Sequence, residues 1–186
     1  PVVKFLDKGE PVKPVWDLIA TNVRLPKLVM GDLQSQLAAC ATGEKELLEL
    51  IDRHGIEKVL AYYEHLHDQA EKMARVVFTE IKDGTYTFTD HLDGLGKEPE
   101  DVVFKVAITI KGEMAHADWT GSSSQVPAGI NSPFPFTKAA VYAGLRAIMP
   151  EDVPNCYGYT RAISVFAEKG SVLNPNAPGA CGARGV

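Results

Sequence analysis

From Asp32 to Ile81 the chain carries two long amphipathic patterns, interrupted only at His54-Gly55. No other feature restricts its folding as strongly. In the first pattern Leu33, Leu37, Cys40, Ala41, Leu47, Leu48 and Ile51 recur at helical spacing, which predicts a helix over Asp32–Arg53 with Gly43 as a weak point. In the second, Val59, Tyr63, Leu66, Ala70, Met73, Val77 and Ile81 do the same. They predict a helix over Ile56–Ile81, about 40 Å long. Gly55 suits the end of the first helix, because glycine adopts the positive φ at which helices commonly stop. So short a connection predicts an antiparallel helical hairpin. Apolar stripes of this length exceed what a small isolated core covers, so packing against another chain or further sequence is expected.

The remainder reads as short strands and two further helices. Residues 1–30 form an extended N-terminal segment, a turn at Gly9-Glu10-Pro11 and a short helix over Val15–Val23 that is interrupted at Leu25-Pro26. Residues 31–83 hold the hairpin. Residues 84–186 form an α/β portion. Thr85–Thr89 alternates aromatic and threonine side chains, a strand signature. Val102–Lys111 alternates cleanly, with Phe104, Val106, Ile108 and Ile110 on one side and Val103, Lys105, Ala107 and Thr109 on the other. Lys111-Gly112 turns the chain into a third strand over Met114–Thr120, predicting a β-hairpin. A helix over Thr137–Met149 and a fourth strand over Ala162–Ala167 follow, and Ser171–Val186 is irregular and rich in Pro and Gly. The predicted class is mixed α+β: a long antiparallel helical hairpin, then a small, mainly antiparallel sheet with a packed helix.

The formal net charge of -5 and the lack of a Lys/Arg cluster argue against a nucleic-acid partner. No apolar run approaches the ~18 residues of a membrane helix. Cys40, Cys156 and Cys181 form an odd set without CxxC spacing, which fits free thiols in a reducing cytoplasm. All three read as buried structural thiols, since no neighbouring cation or helix N-terminus lowers a thiol pKa.

The polar loop between the third strand and the next helix, Ala117–Pro133, reads ADWTGSSSQVPAGINSP. Functional groups gather on such loops when a rigid scaffold holds both ends. Gly121 and the serines from Ser122 onward suit an anion, although the P-loop pattern, with Lys after its second Gly, is absent; a plain surface or interface loop is the other reading. His116 and Asp118 lie two apart on a strand and leave the same face, where a carboxylate can orient an imidazole. A chance surface pair has the same spacing. His65, His67 and Asp68 offer only one pair at i,i+3, too few ligands for a closed zinc site, and His91 with Asp93 carries less signal still. Arg184, in the closing segment, is a candidate anion ligand. Pro1 could act as a base through its secondary amine or mark the boundary of a processed or excised chain.

Three separated stretches together resemble the hydantoinase B/oxoprolinase family. They are NVRLPKLVMGDLQSQLAACATGEKELLELIDRHG at Asn22–Gly55, ADWTGSSSQVPAGINSP with KAAVYAGLRAIM at Lys138–Met149, and GSVLNPNAPGACGARGV from Gly170 to the end. The resemblance implies a B-type subunit of an ATP-dependent cyclic-amide hydrolase such as a hydantoinase, oxoprolinase or lactamase; ketone carboxylases of the acetone and acetophenone type are relatives. In such systems an A-type partner binds ATP and Mg and phosphorylates the substrate oxygen. A divalent metal such as Zn or Mn in the B-type subunit activates water against the carbonyl. Family subunits are much longer, and their His/Asp metal-binding stretch lies upstream of the segment matching Pro1. The metal ligands are therefore expected outside this chain, and the chain is expected to be a fragment of a larger subunit. Within the family-like motifs, Asp118, Thr120 and Asn131 are the catalytic candidates. Gly121, Ser122 and Arg184 are the candidates for substrate or anion binding. Expected partners are the A-type subunit, the rest of the B-type subunit and a small cyclic amide or ketone. A non-catalytic assembly module built on the long helices is the alternative.

Overall fold

A computed structural model describes residues 3–93 and 100–182. The chain divides into two compact units, Pro1–Ala61 and Tyr62–Val186.

In the first unit β1 (Leu6–Asp7) and β2 (Glu10–Pro11) pair antiparallel. The turn falls at Lys8 and Gly9, whose φ values of 52° and 88° match the twist of a tight hairpin. Glu10 and Pro11, expected in the turn, are thus the second strand. Helix α1 (Lys13–Asn22) follows, with the Trp16 ring tilted against Phe5 at 4.6 Å between centroids and donating from Nε1 to the Phe5 carbonyl at 3.0 Å. Helix α2 (Pro26–His54) starts six residues earlier than the periodicity suggests. Leu25-Pro26 stops one helix and opens the next, since a proline in the first turn has no hydrogen bond to lose. At the far end Gly55 has φ 82° and ψ 144°, and its N–H reaches the Ile51 carbonyl at 2.7 Å. No residue of α2 is buried; Leu28 and Leu48 are more than half exposed. Periodicity identifies the apolar side of this helix but not what covers it, and this exposed stripe is the one expected to pack against another chain or further sequence. Cys40, expected to be buried, is exposed for the same reason.

Helix α3 (Ile56–Thr79) begins in the first unit and continues into the second. The second unit is built on a four-stranded sheet of order β3 (Gly84–Leu92), β4 (Val102–Lys111), β5 (Met114–Asp118) and β6 (Ile163–Phe166). The first three strands pair antiparallel and β6 pairs parallel to β5. A parallel neighbour needs a crossover. The polar loop and helix α4 (Phe134–Arg146) supply it, followed by the single turn α5 (Tyr157–Thr160).

The register gives the sheet two unlike faces. Ile108, Ala117 and Val165 lie side by side on the inner face, as do Ile110, Ala115 and Ile163. Ala70, Ala74 and Phe78 of α3 and Val141 and Leu145 of α4 join them in one buried cluster. Phe78 is fully buried. A smaller cluster of Val102, Ala167, Val172 and Leu173 lies under the polar loop, and Trp119 packs against both. The outer face carries Thr109, His116 and Ser164 in one row and Ala107, Asp118 and Phe166 in the next. α4 begins three residues before the expected Thr137, because Pro135 again serves in a first turn. It ends at Arg146, whose guanidinium binds the Pro150 and Val153 carbonyls at 3.1 and 2.8 Å and closes the helix end.

Candidate functional site

The candidate site residues within the described part of the chain lie on the outer face and the loop that leaves it. β5 delivers His116 and Asp118 to the same side, as their spacing predicts. His116 Nδ1 lies 2.7 Å from Ser164 Oγ on β6. This contact engages one ring nitrogen and holds the imidazole upright on an exposed surface. Ser164 was not foreseeable from sequence, because parallel β5–β6 register is a non-local fact.

Asp118 closes a tight turn. Its Oδ1 accepts from the Thr120 hydroxyl at 2.6 Å and from the Thr120 N–H at 2.9 Å. These two bonds, the hydroxyl first, hold the carboxyl below the ordinary aspartate range. Partial burial opposes them, and the neighbouring His116 adds slightly to the lowering. Asp118 is therefore an ionised acceptor at any near-neutral pH. Gly121 follows with φ 84°, a conformation open to glycine, and its N–H faces Glu168 Oε2 at 3.3 Å. The Glu168 carboxylate occupies this backbone donor.

The serines complete the sheet. β5 pairs with residues 107–111 of β4 and goes no further. Beyond it Ser123 stands in for a strand: its N–H donates to the Val103 carbonyl at 2.8 Å and its hydroxyl accepts from the Val103 N–H at 2.9 Å. Ser122 Oγ accepts from the Lys105 N–H at 3.0 Å and donates to the Lys105 carbonyl at 3.2 Å. Such bonds satisfy backbone groups that would otherwise be orphaned.

Asn131 is the loop's hub. It is fully buried. Its Oδ1 accepts from the Val126 N–H at 2.9 Å, and its Nδ2 donates to the carbonyls of Val126, Ala128 and Ala180 at 2.8, 2.9 and 2.8 Å. One amide thus ties the loop to itself and to the C-terminal segment. That segment is tied again by Gln125, which accepts from the Asn176 N–H at 2.6 Å, and by Thr137, whose hydroxyl donates to the Leu173 carbonyl at 2.8 Å. A groove of about 310 Å³ runs between the start of α4 and this segment, lined by Lys169, Asn174, Asn176 and Cys181 among others. Of the site candidates, Asp118, Thr120, Gly121 and Ser122 stand together at one end of the loop, Asn131 is buried at the other, and Arg184 lies outside the described residues, as does Pro1.

The family model for hydantoinase B/oxoprolinase matches residues 1–186. The chain belongs to the hydantoinase B/oxoprolinase family. It is 35% identical to the putative B-type subunit of a D-/L-hydantoinase from Pseudomonas sp. (strain NS671), over 95% of this chain and 32% of that protein. It is 32% identical to the caprolactamase beta subunit of Pseudomonas jessenii, over 96% of this chain and 31% of that protein. The crystal structure of the ATP-dependent caprolactamase from Pseudomonas jessenii superimposes with a TM-score of 0.85 at 32% identity, covering 99% of this chain and 32% of that one. A nucleotide-free acetone carboxylase structure gives 0.83 at 17% identity, over 98% of this chain and 26% of that one, and shares the fold. The chain spans about a third of the length of the curated hydantoinase and caprolactamase subunits it matches.

Among the described residues no group of three or more His, Cys, Asp or Glu is placed to hold a metal ion. The side chains of the described residues do not fit a closed metal site. Nor does the loop have the Lys of a nucleotide phosphate loop. Among the described residues no helix is long and apolar enough to cross a membrane.

Proposed function

We propose that this chain is part of a B-type subunit of an ATP-dependent cyclic-amide hydrolase that acts with an ATP-binding A-type subunit. The observation that carries this reading is the likeness to the ATP-dependent caprolactamase, in which fold and sequence agree over 99% of the chain. The acetone carboxylase likeness lies at 17% identity and speaks for fold alone, so hydrolysis is preferred over ketone carboxylation. ATP and Mg belong to the partner, and a divalent metal to residues of the longer subunit.

Within this reading Asp118 is the group of this chain that contacts substrate. Held ionised by Thr120, it accepts a hydrogen bond from a ring N–H and orients the amide. Asn131, Gly121 and Ser122 are positioning residues that fix the loop, and Arg184 is the anion ligand. In the longer subunit assembled with its partner, Asp118→Asn should reduce ATP-dependent ring opening about 100-fold or more, in keeping with loss of a positioned acid–base or orienting group, while the protein stays folded at the assay temperature. Unchanged turnover would remove Asp118 from the site. Turnover by the 186-residue chain alone would overturn the division of labour between subunits.

A further inference from the structure

The inner face of the sheet is only partly roofed. α4 and the end of α3 cover β4, β5 and β6, but β3 has no buried residue; Tyr86 is 49% and Phe88 66% exposed. By register Tyr86 stands beside Ile108 and Phe88 beside Val106, so both aromatics extend the apolar inner face past its roof. A slot of about 500 Å³ results. Its floor is Tyr86, Val106 and Ile108, and one wall is Ala140 and Gly144 of α4 with Ile148 just past the helix end.

The chemistry of the slot selects its occupant. A small-molecule site combines an apolar pocket with a few convergent polar groups. Here the Tyr86 hydroxyl already donates to the Lys82 carbonyl at 2.7 Å, and Trp119 Nε1 is buried out of reach. A cyclic amide would enter with its N–H and C=O unpaired. The space suits apolar side chains on a segment whose backbone is satisfied internally. It also lies alongside a helix on a sheet face, where helices pack 8–10 Å apart. The exposed small residues of α4 let a neighbour approach closely.

We propose that this slot seats an amphipathic helix from the rest of the B-type subunit, lying beside α4 over β3 and β4. The proposal rests on reading the chain as part of such a subunit: about two thirds of the length of the matched hydantoinase and caprolactamase subunits falls outside the matched region, and this is the polypeptide available to fill the slot.

The test is thiol labelling of Phe88→Cys and Ile148→Cys, read by mass spectrometry of the labelled peptides. It is run in the 186-residue chain and in the longer subunit. Both cysteines should react freely in the chain and at least about 100-fold more slowly in the longer subunit, as expected where access requires local opening. Thr87→Cys, on the outer face, should react freely in both. Equal reactivity of Phe88→Cys and Ile148→Cys in the two proteins overturns the proposal. So does protection in the short chain that grows with its concentration, which would make a second copy the occupant. Loss of Thr87→Cys reactivity in parallel overturns it too, because the strand edge rather than the slot would then be covered. Protection in a subunit that still lacks ATP-dependent hydrolysis when assembled with its A-type partner would reject the activity reading and leave the slot assignment standing.

Discussion

Replacing Asn131 by Ala tests whether one amide organises the loop. The side chain is fully buried and meets four backbone partners: the Val126 N–H and the carbonyls of Val126, Ala128 and Ala180. An amide has two hydrogens, so the three carbonyls share two donated bonds, and three bonds in all are at stake. At about 1 kcal/mol net per bond the loss is about 3 kcal/mol; partners left unpaired in a buried site push it upward, while water entering the vacated space limits the rise. An outcome near 3–4 kcal/mol is a large part of the 5–15 kcal/mol that holds a typical domain. Urea unfolding followed by tryptophan fluorescence should show the midpoint falling by about 1–3 M at unchanged slope. Asn131→Asp adds a sign. It keeps an acceptor for the Val126 N–H but aims negative charge at three carbonyls. Its carboxyl pKa should therefore be raised in the folded state. Stability should be worse than with Ala near neutral pH and should recover as the pH falls through the raised value. A loss under about 1 kcal/mol for Asn131→Ala would refute the hub.

Gly158→Ala should destabilise by about 3 kcal/mol or more, because its Cβ would meet the His67 backbone rather than a flexible side chain; a thermal midpoint within a degree of wild type would contradict the packing of α5 on α3. Gly55→Ala has open space around it but sits at φ 82°, so about 1–3 kcal/mol of backbone strain is expected, read as a lower urea midpoint; full retention of stability would mean the joint adopts another conformation. Thr120→Val removes the hydroxyl that contributes most to lowering the Asp118 pKa, so the carboxyl should titrate at higher pH, which NMR of the side-chain carbon reads directly. Because the Asp118 pKa is depressed in the folded chain, its stabilising contribution is complete above the ordinary aspartate range and disappears as pH falls through the lowered value. In the valine variant that loss should begin at higher pH, and an unmoved titration would remove Thr120 as the cause.

What could be read from sequence was what local pattern determines. Val102–Lys111 alternates strongly enough that its observed ends coincide with the expected ones. β3 runs on to Leu92, past the expected Thr89, because pairing with β4 carries it through Asp90 and His91, residues of weak strand preference. Proline misled at Pro26, which was legible as a break yet stands in the first turn of a helix; Pro135 likewise opens α4 ahead of the expected Thr137. In the candidate site the shared face of His116 and Asp118 was legible from a two-residue spacing. The partners of those residues were not. Ser164 reaches His116 through a parallel register, and Glu168 reaches Gly121 from 47 residues away. Asn131 was legible as a catalytic candidate only through the family-like motif, and its burial, which depends on a C-terminal segment that returns to cover it, was not legible at all.

The two faces of the sheet separate the ways in which substitutions should act. Inner-face residues such as Ala115 and Ala117 are fully buried against α3 and α4, so enlarging them should strain packing before it touches chemistry. Outer-face residues such as His116 and Ser164 are exposed, hydrogen-bonded to one another and remote from that cluster. Their replacement should leave stability within a few tenths of a kcal/mol. The loop is the exception, because it answers to both. Ser123 continues the ladder of β4, Asn131 secures the return of the chain, and Asp118 and Thr120 sit at the junction between them. These features hold the backbone around Asp118 in one arrangement, the pre-organisation that the proposed role of its carboxylate would require.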